Sequence, residues 1–240
     1  MNIAQRFLPV FMMDRKEPFA IKAIGYTLFE KDKKSDSFPK RVIHADWEKI
    51  KVVIEYAIWF DYDIQHLYEL EHVWVYVDKE NRIVHVEGSF HGKYLNVLNL
   101  ETGDIILSEK GQPVVWMQPG KHAILADAKL VKLVPGWKEC CNQDAGCDGL
   151  ALADFFSDFV PALNEKQQEQ VKKYIKATYA FEPSCVFEPV IIEKKLLQPW
   201  EQLKESIPYR IKKELDRIGI AIKIKNGRKS EADEMVEKGL

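Results

Sequence analysis

Apolar and polar positions alternate through much of the first 135 residues. Val73, Val75 and Val77 alternate with Trp74 and Tyr76, the two-residue period of a strand with unlike faces. The stretches KVVIEYAIWFDYD, LEHVWVYVD, RIVHVEGSF, DIILSE, QPVVWMQ and HAILA are each short and rich in β-branched or aromatic residues, so each is predicted to be a strand. Turn residues separate them at Lys79-Glu80-Asn81, Thr102-Gly103-Asp104, Lys110-Gly111-Gln112 and Pro119-Gly120. That spacing predicts an antiparallel sandwich or barrel. The short link between Val77 and Arg82 predicts that 70–77 and 82–90 form a hairpin.

The period changes further along. Asn164 is placed to cap a helix with Gln167 at the capping-box position, and Val171, Tyr174 and Ile175 follow at helical spacing. In QPWEQLKESIPYRIKKELDRIG, Leu203, Ile207, Ile211, Leu215 and Ile218 make an apolar stripe that Gly219 would end. Pro208 predicts a kink or break there. The closing segment GRKSEADEMVEKGL is charged and expected to fray. The expected fold class is mainly β, a β-sandwich with appended C-terminal helices and α+β overall. Residues 1–135 would form the β body, and 136–240 a loop and helical extension packed on the same domain.

Composition narrows the partners. The chain has 240 residues, with 35 basic against 37 acidic and a net charge of −2. Nothing in that balance favours nucleic acid. The apolar start MNIAQRFLPVFMMD is short and interrupted by Pro9, unlike a secretory signal. No stretch reaches the roughly 18 apolar residues of a membrane span. The expectation is a cytoplasmic protein, with secretion left open because a leader removed beforehand would leave no trace. The sequence gives no basis for an oligomeric state. Of Cys140, Cys141, Cys147 and Cys185, the first three lie in a polar loop with poor zinc spacing; free thiols are expected in a reducing compartment, and a disulfide such as Cys141–Cys147 in an exported protein.

One stretch carries candidate chemistry. FDYDIQHLYELEH places Asp61, Asp63, His66, Glu69, Glu71 and His72 just before an apolar strand. Glu69 and Glu71 share a strand face, and His72 takes the other. On the next strand His85, Glu87, Ser89 and His91 share a face, and pairing the two strands would bring carboxylates near imidazoles. Two carboxylates in one small volume need a proton, a cation or a basic side chain to offset them. Mixed imidazole and carboxylate donors suit Zn²⁺ or Mn²⁺, and tolerate Mg²⁺ or Ca²⁺ with water in the shell. The run His44-Ala45-Asp46-Trp47-Glu48 has similar letters, but contiguous residues rarely converge on one point.

The same residues resemble the necrosis-inducing protein family and its relatives in a vacuolar-sorting-associated domain family, over about residues 6–130. The former carry a heptapeptide Gly-His-Arg-His-Asp-Trp-Glu whose second, fifth and seventh positions help hold a divalent cation. Gln65-His66-Leu67-Tyr68-Glu69-Leu70-Glu71 keeps that spacing, with Gln for Gly, Glu69 for Asp and Leu70 for Trp. The resemblance implies a β-sandwich with the cation at one end, held by His66, Glu69, Glu71 and His91 of Ser89-Phe90-His91-Gly92, with Asp61 or Asp63 as a further ligand. PVVWMQPGKHAIL resembles a segment of the vacuolar-sorting relatives and adds His122 as a pocket residue. His72 is then a packed residue, or a partner that holds a carboxylate.

Three functional expectations follow. One is a divalent-metal-binding protein whose cation bridges to a small molecule, an anionic lipid head group or a sugar. The alternative is a metal-dependent hydrolase in which Glu69, Glu87 or His122 takes a proton from bound water. The third is a purely structural network of buried ions.

Overall fold

In a computed structural model of the chain, residues 2–225 are described; the charged tail expected to fray lies outside them. The strands are β1 (Val10–Asp14), β2 (Ala23–Phe29), β3 (Lys33–Lys34), β4 (Val42–Ile43), β5 (Ile50–Tyr62), β6 (Leu67–Asp78), β7 (Ile83–Phe90), β8 (Lys93–Asn96), β9 (Val114–Met117), β10 (Ile124–Leu125), β11 (Phe187–Pro189) and β12 (Leu197–Pro199). The helices are α1 (Ile3–Arg6), α2 (Asp154–Ser157), α3 (Glu165–Tyr179) and α4 (Trp200–Ile218). The chain is mainly β with helices towards its C-terminal end, α+β overall.

β5 and β6 are the frame. They pair antiparallel from Tyr62↔Leu67 to Ile50↔Asp78, and nearly every position from Val52 to Phe60 is buried. A strand covered on both faces reads as a continuous apolar run, which is why VVIEYAIWF is so hydrophobic. They lie inside a six-stranded sheet of order β12-β2-β5-β6-β7-β8. The predicted hairpin is present as β6–β7.

One face of this sheet, with Ile54, Tyr56, Ile58, Phe60, Val73 and Val75, joins Phe11, Met13, Val115 and Met117 of the four-stranded sheet β10-β9-β1-β11 in the main core. Burying each such side chain stabilises the fold by about 1.5–3 kcal/mol. The two layers touch closely enough that a Cβ on Gly88 would lie 2.2 Å from Ile124 Cγ2. On the other face Phe29, Ile43, Val53, Trp74 and Tyr76 form a second cluster, roofed by Phe38 and Trp47 from the excursion between β2 and β5.

The helices follow their sequence signals. Asn164 caps α3 with the full capping box to Gln167. Leu203, Ile207, Ile211, Leu215 and Ile218 are the buried stripe of α4, and Gly219 ends it at φ 87°. Trp200 and Leu203 press on Gly25 of β2, where any side chain would meet them at about 3.1 Å.

Three expectations need correction. The sheets are mixed, because β1 pairs parallel with β9 and β12 parallel with β2. α4 runs through Pro208, whose ring is buried beside Ile207 on the packed stripe, where that packing offsets the missing hydrogen bond. DIILSE is no strand; it offers one isolated bridge, Leu107 to Pro113.

Candidate metal centre

The centre forms at the β5–β6 connection. Asp63 N–H donates to the His66 carbonyl at 2.9 Å, and the Asp63 carboxylate accepts from Gln65 N–H at 2.6 Å. The turn is then clamped from outside: Leu67 N–H donates to Gly149 O and Gly146 N–H to Ile64 O. Gly146 is required at that contact, since a Cβ there would sit 2.2 Å from Lys172 O.

Tyr68 follows at φ 60°, a conformation that costs a bulky residue roughly 1–3 kcal/mol. Its neighbours hold it there. The ring stacks on Trp59 at 5.0 Å and its hydroxyl accepts from Ala153 N–H at 2.8 Å. The Tyr68 carbonyl lies 2.7 Å from His66 Nδ1. A carbonyl can only accept, so Nδ1 donates to it, and Nε2 is the ring nitrogen turned towards the site.

Nε2 is near two carboxylates. His66 Nε2 lies 3.8 Å from Asp63 Oδ1 and 3.7 Å from Glu69 Oε2, too far for hydrogen bonds. One donor atom from each of Asp63, His66 and Glu69 falls within 4.8 Å of the others. Three atoms so spaced can share a cation at bond lengths of about 2.0–2.6 Å.

Charge argues the same way. Asp63 is fully buried, and Glu71 is 7% exposed. Lys121 Nζ answers Asp63 at 2.9 Å. Fully ionised, the carboxylates of Asp63, Glu69 and Glu71 exceed this one ammonium by two negative charges. Burial pushes the Glu71 carboxyl well above its usual range, reinforced by Glu69, against a hydrogen bond from Ser89. Glu69 is raised by burial too, less steeply because His66 opposes it. Burial also works against ionised Asp63, but His66, Lys121 and His122 outweigh it and hold this carboxyl low. The donors and the missing charge both fit a divalent cation.

The other sequence candidates each have partners of their own. His91, at φ 48°, has Nε2 2.9 Å from Gln118 Oε1. His122, at φ 59°, is enclosed and stacked on Phe60 at 3.8 Å, with Nε2 3.5 Å from Glu17 Oε1. Neither ring nitrogen of His122 has a hydrogen bond. Asp61 takes a hydrogen bond from Trp59 Nε1 and faces a different cleft. Glu87 is on the opposite sheet face, bound by Arg41 and the Tyr76 hydroxyl. His72 shares that face: its Nε2 meets Ser37 Oγ at 3.0 Å, and burial followed by Arg41 depresses its pKa to about 3. His44 is exposed and bonds Asp32, while Asp46 bonds Lys49. All four cysteines are free thiols.

Sequence reasoning passed over Lys121 and Gln118. Each borders His122 or the Pro119-Gly120 turn, so the signal was a polar residue on each side of a turn already marked as a pocket segment. Among the described residues, no helix is long and apolar enough to cross a membrane.

The chain matches no protein-family model and no curated protein. It matches a crystal structure of a mutant of NLPPya at 12% identity and a TM-score of 0.32, over 62% of this chain and 81% of that one. A likeness so loose carries no argument about chemistry, and the case for the centre rests on its own residues.

Proposed function

We propose that this is a divalent-cation-binding protein, with Asp63, His66 and Glu69 as ligands and Glu71 completing the charge. The observation that carries this reading is the convergence of one donor atom each from Asp63, His66 and Glu69, with His66 Nδ1 held by the Tyr68 carbonyl so that Nε2 faces the two carboxylates. Imidazole among oxygen donors favours Mn²⁺ or Zn²⁺ over Mg²⁺ or Ca²⁺. Three protein donors are fewer than such a cation takes, so the cation bridges to an anionic ligand. Hydrolysis has less support: of the bases considered, His122 is enclosed and Glu87 belongs to the other sheet face, leaving Glu69. The free thiols support a reducing compartment.

Titration of Mn²⁺ into dialysed protein by calorimetry tests the reading. One site is expected, weakened at least about tenfold in His66→Ala. No binding, or binding that His66→Ala leaves unchanged, would remove it.

A further inference from the structure

The centre opens onto a cleft of about 600 Å³ between the excursion residues Phe38–Lys40 and the segment from Ala151 to Phe156, a size usual for a small-molecule site. His66 and Glu69 stand in its wall, so a cation between them is within reach of an occupant. The surfaces around them are mostly apolar: Tyr68, Leu70, Leu152, Ala153 and Phe156.

The polar groups are few and largely engaged. Ser37 and His72 bond each other at 3.0 Å, and Ser37 also donates to Glu55 at 2.6 Å. The Tyr68 hydroxyl is taken by Ala153 N–H. Lys40 and Asp154 also line the cleft, and both are exposed, one cationic and one anionic. A sugar here would lose water from hydroxyls along mostly apolar walls that offer few partners. An occupant with one anionic end and an apolar body would lose nothing comparable. Its charge meets the cation, while its body leaves water for the apolar walls.

We propose that the cleft binds a small amphipathic carboxylate, an acid with a medium-length alkyl or aryl body, its carboxylate on the cation and its body against Tyr68, Leu70 and Leu152. This rests on the cation reading above and adds the class of ligand. It selects a free small molecule over a sugar or a membrane surface.

The test is calorimetry with octanoate on Mn²⁺-saturated protein, with acetate, glucose and phosphatidic acid vesicles as parallel arms. Octanoate is expected to bind at least tenfold more tightly than acetate, and glucose not at all. Leu152 is half-buried in a loop, so Leu152→Asp should fold, keep its Mn²⁺ affinity and lose at least tenfold in octanoate affinity. If Mn²⁺ binds and octanoate is no better than acetate, the ligand assignment fails while the centre stands. Octanoate binding untouched by Leu152→Asp, glucose binding, or vesicle binding without octanoate binding overturns it equally. If wild-type protein takes up no Mn²⁺, the centre fails and this proposal with it.

Discussion

Glu71→Gln raises the melting temperature of the metal-free protein at pH 8 by about 2–4 °C and removes most of the stabilisation that Mn²⁺ gives the wild type. Both halves come from one arrangement. Glu71 is buried beside Glu69, and burial holds its carboxyl well above the usual carboxylate range. A carboxyl with a raised folded pKa favours the fold below its unfolded pKa. The fold then loses stability as pH rises towards the folded pKa. At pH 8 the wild type bears that cost and glutamine does not, while at pH 4 the two should melt alike. Glutamine can still accept the Ser89 hydroxyl, so no new buried orphan is created. Added Mn²⁺ reverses the order. At one hundred times its dissociation constant a ligand adds about 2.7 kcal/mol, or about 5–10 °C for a chain of this size. That gain should largely vanish in the variant. Thermal melts at both pH values, with and without Mn²⁺, decide it. A variant that melts lower than wild type in every condition would show that Glu71 is held by ordinary structural bonds.

The second large effect lies on the far side of the sheet. Arg41→Met is expected to cost about 3–5 kcal/mol, because it breaks a buried ion pair and leaves the other charge behind. Arg41 is 3% exposed. Its guanidinium lies 3.8 Å from the Trp74 ring and 3.9 Å from the Tyr94 ring, bonds the Tyr76 hydroxyl at 3.0 Å and pairs with Glu87. It ties the excursion between β2 and β5 to the sheet. Burial disfavours ionised Glu87, yet His85, Arg41 and Tyr76 together hold it down to about 2. A depressed carboxyl contributes stability above its unfolded pKa and loses it as pH falls through the folded value. The gap between wild type and variant should therefore narrow from pH 4.5 towards pH 2. Adding Glu87→Gln to Arg41→Met should recover more than half of the loss in urea unfolding. If the double variant is as unstable as the single one, packing of the guanidinium between the two rings is the dominant contribution.

Much of the frame was legible because its signals are local. The apolar run of β5 reports a strand covered on both faces, the Asn164–Gln167 pair reports a helix start, and five apolar residues on one stripe report α4. Parallel pairings were not legible: β1 meets β9, and β12 meets β2, across separations that no local period encodes. Pro208 misleads because its penalty is real but smaller than the packing around it.

The site divides the same way. Alternation placed Glu69 and Glu71 on one face, and only the resemblance to the heptapeptide joined His66 to them. Alternation could not choose between Asp61 and Asp63, which depends on how the turn at residues 63–66 closes. It also grouped Glu87 with His91, although Glu87 faces the Arg41 cluster and His91 bonds Gln118. Lys121 adjoins His122 in a segment already marked, but its pairing with Asp63, 58 residues away, leaves no local signal.

An anomalous difference map from crystals soaked in Mn²⁺ tests the centre most directly. One peak is predicted at about 2.0–2.6 Å from an Asp63 carboxylate oxygen, His66 Nε2 and a Glu69 carboxylate oxygen. A soaked crystal without density at that point, with Lys121 Nζ as the sole cation against Asp63, would contradict the account.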